Sequence, residues 1–154
     1  MKKGLVVLLA AFALVGCGNG VGQTTTATVC TTDKPYRGYS SAKQTIISEG
    51  DIAKKIEFEG VMVMPNNQIL EATLPQLDEA VKSVNSLEGV SAAYEKVDDV
   101  TLKDIASYDL EKASLQTLIQ IGLLQSSANE KTKAISVEQT VKALEEQGFT
   151  CSVE

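Results

Sequence analysis

The chain has 154 residues, 22% of them charged, and a formal net charge of −6 at pH 7. An acidic chain lacks the basic surface that nucleic-acid binding requires, so we expect no nucleic-acid partner. Histidine and tryptophan are absent. Without histidine the chain lacks the usual general base and the commonest metal ligand, which argues against hydrolases and zinc proteins. We therefore expect neither a cofactor nor a metal.

The N-terminal segment has the three parts of a signal peptide: two lysines, an apolar run at 5–15, and small residues around a cysteine. The run is about 11 residues, or roughly 16 Å of helix, whereas a bilayer core needs about 30 Å. Leu14-Val15-Gly16-Cys17 resembles the lipobox of bacterial lipoproteins. We predict a signal peptide at 1–16, cleavage before Cys17, and lipid such as palmitate on Cys17. Cleavage after Ala11-Phe12-Ala13 and an uncleaved helix are the alternatives.

These features place the mature protein outside the cytoplasm, anchored by lipid to the cell membrane or an outer membrane. Residues 17–28 are polar and rich in glycine and threonine, which is typical of a flexible tether. Residues 29–154 suit a single domain. Cleavage removes Lys2 and Lys3 and leaves 12 basic and 20 acidic side chains, a net charge of −8. This charge discourages the domain from lying flat on anionic lipid.

Two further cysteines, Cys30 and Cys151, lie near the two ends of the predicted domain. Exported proteins fold in an oxidising compartment, where such pairs tend to form disulfides. Because Cys17 would carry lipid, we predict a disulfide between Cys30 and Cys151. Two unpaired, buried thiols are the alternative.

The first predicted hairpin joins strands at 41–47 and 52–64 through Ser48-Glu49-Gly50-Asp51. Apolar and charged side chains alternate along the second strand, so it should have a core face and a wet face. Met62 and Met64 share one face of it. Their spacing can bind Cu(I), but we favour a role as core fillers.

An amphipathic helix is predicted at 74–87, where leucine and valine recur at helical spacing. Thr73 would cap this helix, Pro75 would lie in its first turn, and Gly89 would end it.

A second predicted hairpin has strands at 90–97 and 100–111, joined at Asp98-Asp99. Its second strand alternates regularly except at Asp104 and Ile105. The acidic residues here lack the spacing of a calcium-binding loop, and we interpret them as a turn and a solvated strand face. They are Asp98, Asp99, Asp104, Asp109 and Glu111.

Two helices and a short strand complete the predicted order. Residues 115–124 are apolar on most sides, which indicates a buried helix, and 125–134 read as a loop. Ser136-Val137-Glu138-Gln139 is a capping-box pattern for a helix that Gly148 would end. Residues 150–153 would run back along the sheet. The predicted fold class is α+β, an antiparallel sheet built from two β-hairpins with helices packed on one face.

The chain resembles the YehR-like lipoproteins, a family of small bacterial lipoproteins whose domain has no assigned function. The lipobox cysteine, the turn at 46–51, the hairpin after Gly89 and the ending at 138–151 carry the resemblance. It implies an α+β lipoprotein with no substrate, cofactor or catalytic residue to transfer. Some members have the pair corresponding to Cys30 and Cys151 and others lack it, which implies that the disulfide is an addition to the fold.

One aromatic and basic cluster, Lys34-Pro35-Tyr36-Arg37-Gly38-Tyr39, stands out in an irregular stretch. Tyr36, Arg37 and Tyr39 are candidate partner-contact residues, and an ordinary loop is the alternative. No catalytic site is predicted. We expect a non-enzymatic module that binds a protein, an envelope component or a small ligand. A structural or accessory envelope protein without a discrete ligand is the alternative.

Overall fold

The computed structural model describes residues 24–154 except 130 and 132. The predicted signal peptide, Cys17 and most of the predicted tether lie outside these residues. The described part contains six strands and three helices: β1 (Thr25–Thr32), β2 (Ser41–Glu49), β3 (Ile52–Val63), α1 (Asn67–Val84), β4 (Val90–Lys96), β5 (Thr101–Asp109), α2 (Leu115–Gln120), α3 (Val137–Glu146) and β6 (Thr150–Val153). None of the described helices combines the length and apolarity needed to cross a bilayer.

The six strands form one sheet in the order β4-β5-β3-β2-β1-β6, and all neighbours are antiparallel. The predicted α+β class is therefore correct. The predicted hairpins lie side by side, joined where β3 pairs with β5. They do not make the whole sheet, because β1 pairs with β2 and β6 pairs with β1.

Strand β1 begins at Thr25, so 25–28 belong to the sheet and not to the predicted tether. The threonines of this segment read as a polar linker by composition. They are β-branched, however, and such side chains suit a strand that is paired on both sides. Thr28 is 5% exposed, opposite Ile46 on β2 and Val153 on β6.

A disulfide joins Cys30 to Cys151, as predicted, across directly opposed positions of β1 and β6. The two cysteines are 121 residues apart in sequence. The bond therefore connects the first strand of the domain to its last.

Helix α1 begins well before the predicted residue 74. The side chain of Asn66 caps it by accepting a hydrogen bond from Ile69 N at 2.9 Å. Leu70, which is fully buried, anchors the first turn in the protein. Thr73 and Pro75 consequently lie inside the helix and not at its start. The predicted start was wrong because it relied on the proline and overlooked the asparagine cap.

The main core lies between the sheet and the last two helices. Its buried residues come from β1, β2 and β3 on one side and from α2, α3 and their flanking segments on the other: Cys30, Ala42, Ile46, Ala53, Ile56, Leu110, Ala113, Leu118, Leu144 and Phe149. A bulge in β3 leaves Lys54 without a partner in the register with β2. Ala53 and Ile56 are therefore both buried despite their odd spacing.

Candidate functional site

A cleft opens beside this core, between strands β3 and β5 and the segment that follows α2. One part, about 350 Å³, is lined by the 36–39 loop, the sheet and Ile121 to Leu123. It continues into a second part of about 620 Å³ beside α3, and the two share Tyr36, Arg37 and Gln44 in their walls. Volumes of this size are typical of small-molecule sites.

The predicted contact residues Tyr36, Arg37 and Tyr39 all lie at this cleft. Tyr36 and Tyr39 exchange two backbone hydrogen bonds of 2.9 and 2.8 Å, which makes the segment a tight two-residue turn. Both central residues have positive φ, 49° at Arg37 and 94° at Gly38. Glycine adopts this conformation freely, whereas for arginine it costs about 1–2 kcal/mol. The turn holds Arg37 exposed at the mouth of the cleft, 5.3 Å from the centre of the Tyr36 ring.

Tyr39 lies against the sheet because position 60 has no side chain. A Cβ atom at Gly60 would stand 2.6 Å from Cε1 of Tyr39. The Tyr39 ring packs edge-on against Phe58, with 5.1 Å between ring centres. Its hydroxyl donates a hydrogen bond of 2.5 Å to Oδ2 of Asp104, which lies opposite Gly60 in the register.

Asp104 faces the cleft, so its assignment to a solvated strand face was wrong. The strand keeps its alternation through this position, with Leu102 and Ala106 buried on the same face and Tyr108 also lining the cleft. The apparent break in the sequence pattern is thus an acidic side chain directed inward. Ile105 takes the opposite face.

Two tyrosine hydroxyls at this site, those of Tyr39 and Tyr108, are held in their protonated form. Burial, and then the hydrogen bond to Asp104, raise the pKa of Tyr39 above its ordinary value of 10.0. Burial, and then the negative charge of Asp104, also raise the pKa of Tyr108. Both phenols therefore remain neutral hydrogen-bonding groups at physiological pH.

Most of the aromatic side chains in the described residues gather here. Tyr36, Tyr39, Phe58 and Tyr108 line the cleft, and Phe149 packs behind Tyr36 with 4.9 Å between ring centres. Tyr94 is the one placed elsewhere among the described residues. These residues are few and far apart in the sequence, so composition gives no sign of an aromatic cluster. The alternation of β5, continued through Asp104, is the sequence signal that would have placed Asp104 and Tyr108 on one face of the sheet.

The other acidic residues and the methionines that the sequence singled out make structural contacts. Asp98 accepts hydrogen bonds from Val100 N and Thr101 N and so closes the second hairpin. Met62 and Met64 are half-buried, and neither belongs to the main core cluster. Within the part of the chain that the structure describes, no three histidine, cysteine or acidic residues are placed to hold a metal ion.

No protein-family model and no curated protein sequence matches the chain. Two solved structures are similar to it. An NMR structure of a protein from Streptococcus pneumoniae TIGR4 has a TM-score of 0.61 at 16% identity, covering 99% of this chain and 98% of that one. The NMR structure of the E. coli YehR protein has a TM-score of 0.60 at 19% identity, covering 84% of this chain and 92% of that one. At these identities the likeness shows a shared, YehR-like fold.

Proposed function

We propose that this protein is a YehR-like lipoprotein, anchored by lipid on Cys17 outside the cytoplasm, that binds a ligand in the cleft at the 36–39 turn. The supporting observation is the cleft itself. An arginine with positive φ and an inward-facing carboxylate both line it. Backbone strain and a partly buried charge each cost free energy, and backbone strain is concentrated at functional sites. The role is non-enzymatic. The likeness to YehR supports the family assignment only at the level of fold.

The anchor follows from the sequence at Leu14-Val15-Gly16-Cys17. Because β1 begins at Thr25, the tether between Cys17 and the sheet is shorter than its composition implied. If Cys17 carries lipid, the seven residues between it and Thr25 can reach at most about 25 Å. The domain would then stand near the lipid head groups, with its net negative charge opposing closer approach.

We also infer that the three helices cover one face of the sheet. Tyr94 and Lys96 of β4 bond to α1 through Asp78 and Glu71. In the strand register, Tyr94 and Lys96 lie opposite Asp104 and Leu102, which are on the face of the sheet that carries the cleft. The other face of the sheet carries a row of ion pairs, in which Glu59 binds Lys103 at 2.6 Å and Lys43 at 3.7 Å. The cleft would then lie on the helical face.

The anchor is tested by Cys17→Ser in the full-length chain. We expect the variant to carry no lipid at position 17 and to be released from membranes more readily than the wild type, because two or more acyl chains are needed for stable attachment. Mass spectrometry of the mature N-terminus and membrane fractionation measure these outcomes. Unchanged processing and unchanged membrane association would contradict the proposed anchor.

The cleft is tested by filling it from α3. Ala143 is exposed and lines the cleft, whereas Glu146 is exposed on the same helix outside the cleft. Protein purified from its own envelope is analysed by native mass spectrometry. We expect bound small molecules on the wild type and on Glu146→Trp, and little or none on Ala143→Trp. Equal occupancy in all three would place the ligand outside this cleft, and no bound molecule in any would instead favour an accessory envelope protein without a discrete ligand.

A further inference from the structure

The carboxylate of Asp104 is partly buried on a strand that has a neighbour on each side. Within the described part of the chain this carboxylate accepts one hydrogen bond, from the Tyr39 hydroxyl, and no lysine or arginine forms an ion pair with it. A carboxylate has about four acceptor positions, so this bond leaves most of them available. A partly desolvated negative charge of this kind favours a cation as its second partner.

The walls around Asp104 favour the same kind of partner. Tyr36, Tyr39, Phe58 and Tyr108 line the same part of the cleft as the carboxylate. Aromatic faces attract cations, and quaternary ammonium groups are bound in proteins by such clusters of rings. The negative charge and the aromatic surface therefore both favour a cationic ligand.

A metal ion fits these walls less well than an organic cation. Calcium takes about six to eight oxygen ligands. Among the described residues that line the cleft, Asp104 is the one carboxylate. Aromatic rings and a single carboxylate suit an alkylated ammonium group, because its charge density is low. Its weak hydration also makes it easy to desolvate.

We propose that the cleft binds an organic ammonium compound, with its cationic group against Asp104 and among Tyr36, Tyr39, Phe58 and Tyr108. This inference rests on the proposed binding function of the cleft and names its ligand class. Arg37 at the mouth lies in position to meet an anionic group on the same molecule. The ammonium group can thus belong to a free cation or to a zwitterion, such as a head group.

The test measures binding of choline to the mature protein by isothermal titration calorimetry. The comparison ligand is 3,3-dimethyl-1-butanol, which has the shape of choline without its charge. We expect choline to bind and the alcohol to bind at least about tenfold more weakly, because the alcohol lacks the charge attraction. Equal binding of the two, or no binding of choline, would overturn the proposal.

Two aspartates provide a matched pair of variants. Asp104→Asn removes the charge but keeps an oxygen that can accept the Tyr39 hydrogen bond. Asp78→Asn makes the same change at the other aspartate that accepts a tyrosine hydroxyl, from Tyr94 at 2.6 Å, outside the cleft. We expect Asp104→Asn to weaken choline binding about tenfold or more and Asp78→Asn to leave it unchanged. Equal choline affinity in the two variants would overturn the proposal.

Folding is monitored independently by amide NMR spectra. If Asp104→Asn fails to fold, shifts of the Tyr36 and Tyr108 ring signals in the wild type on adding choline decide the question. Shifts among the rings of Tyr36, Tyr39, Phe58 and Tyr108 support the site, and shifts confined to other residues contradict it.

Phosphocholine separates the two sources of the ammonium group. Tighter binding of phosphocholine than of choline, lost in Arg37→Gln, identifies a zwitterion. Tighter binding of choline identifies a free cation. If native protein carries a molecule without an ammonium group and choline does not bind, this inference fails while the proposed binding function stands.

Discussion

Tyr39 occupies the space that a side chain at position 60 would need. The ring lies over Gly60, beside Phe58, and its hydroxyl reaches Asp104 on the neighbouring strand. A single missing Cβ thus allows the 36–39 turn to close onto the sheet. The position of the turn depends on a residue more than twenty positions away, with which it shares no sequence motif.

Gly60→Ala is therefore expected to displace the Tyr39 ring and to weaken its hydrogen bond with Asp104. Overpacking of this kind costs about 1–3 kcal/mol of unfolding free energy. Urea denaturation of the mature domain measures the cost. The control is the same substitution in a Tyr39→Ala background, where removal of the ring should reduce the cost. Equal costs in both backgrounds would show that the ring does not depend on Gly60.

Helix α3 is held at its start by the first hairpin. Ser136 caps the helix by accepting from Gln139 N at 3.2 Å, as the sequence pattern predicted. Asp51, in the turn between β2 and β3, adds a second cap by accepting from Ser136 Oγ at 2.6 Å and from Glu138 N at 2.8 Å. These hydrogen bonds, first the one from Ser136, lower the pKa of Asp51 below its ordinary value of 3.8. A negative charge here also complements the positive end of the helix dipole.

Asp51→Asn should therefore destabilise the domain at neutral pH. Because the pKa of Asp51 is lower in the folded state, its contribution is present above pH 3.8 and is lost as the pH falls through the lowered value. Urea denaturation at a series of pH values measures the difference between the variant and the wild type. That difference should shrink in acid. Asp99→Asn, at an exposed turn of the second hairpin, serves as the control. A difference independent of pH would argue against the charged cap.

At the scale of the whole molecule, the sheet brings the two ends of the domain together. Strand β6 adds to the outer side of β1, and the Cys30–Cys151 disulfide joins the two strands. Cys30 is fully buried within the main core. The bond therefore restricts the unfolded chain over nearly the whole domain, and the backbone pairing of β1 with β6 is a separate contact between the same strands.

Reduction of the disulfide is expected to lower the unfolding free energy by about 2–4 kcal/mol and to leave the fold intact. Urea denaturation with and without reductant measures the loss. The double variant Cys30→Ala, Cys151→Ala should be less stable than the oxidised wild type and insensitive to reductant. A wild type whose stability does not change on reduction would contradict this role for the bond.

Much of the architecture is determined by the sequence alone. Alternation with period two identified the strands of both hairpins, and a Ser-x-x-Gln pattern placed the start of α3 at Val137. These predictions succeed because burying one face of a strand or helix requires a local periodicity that is visible in sequence. The same reasoning missed β1, whose threonines resemble a linker until partners on both sides pair with its backbone.

The cleft was decided only by the tertiary structure. The sequence singled out Tyr36, Arg37 and Tyr39, but it could not show that Phe58, Asp104 and Tyr108 lie beside them. That proximity arises from the pairing of β3 with β5 and from the space left at Gly60. Strand pairing joins residues that are distant along the chain, and local sequence patterns carry no record of which strands will become neighbours.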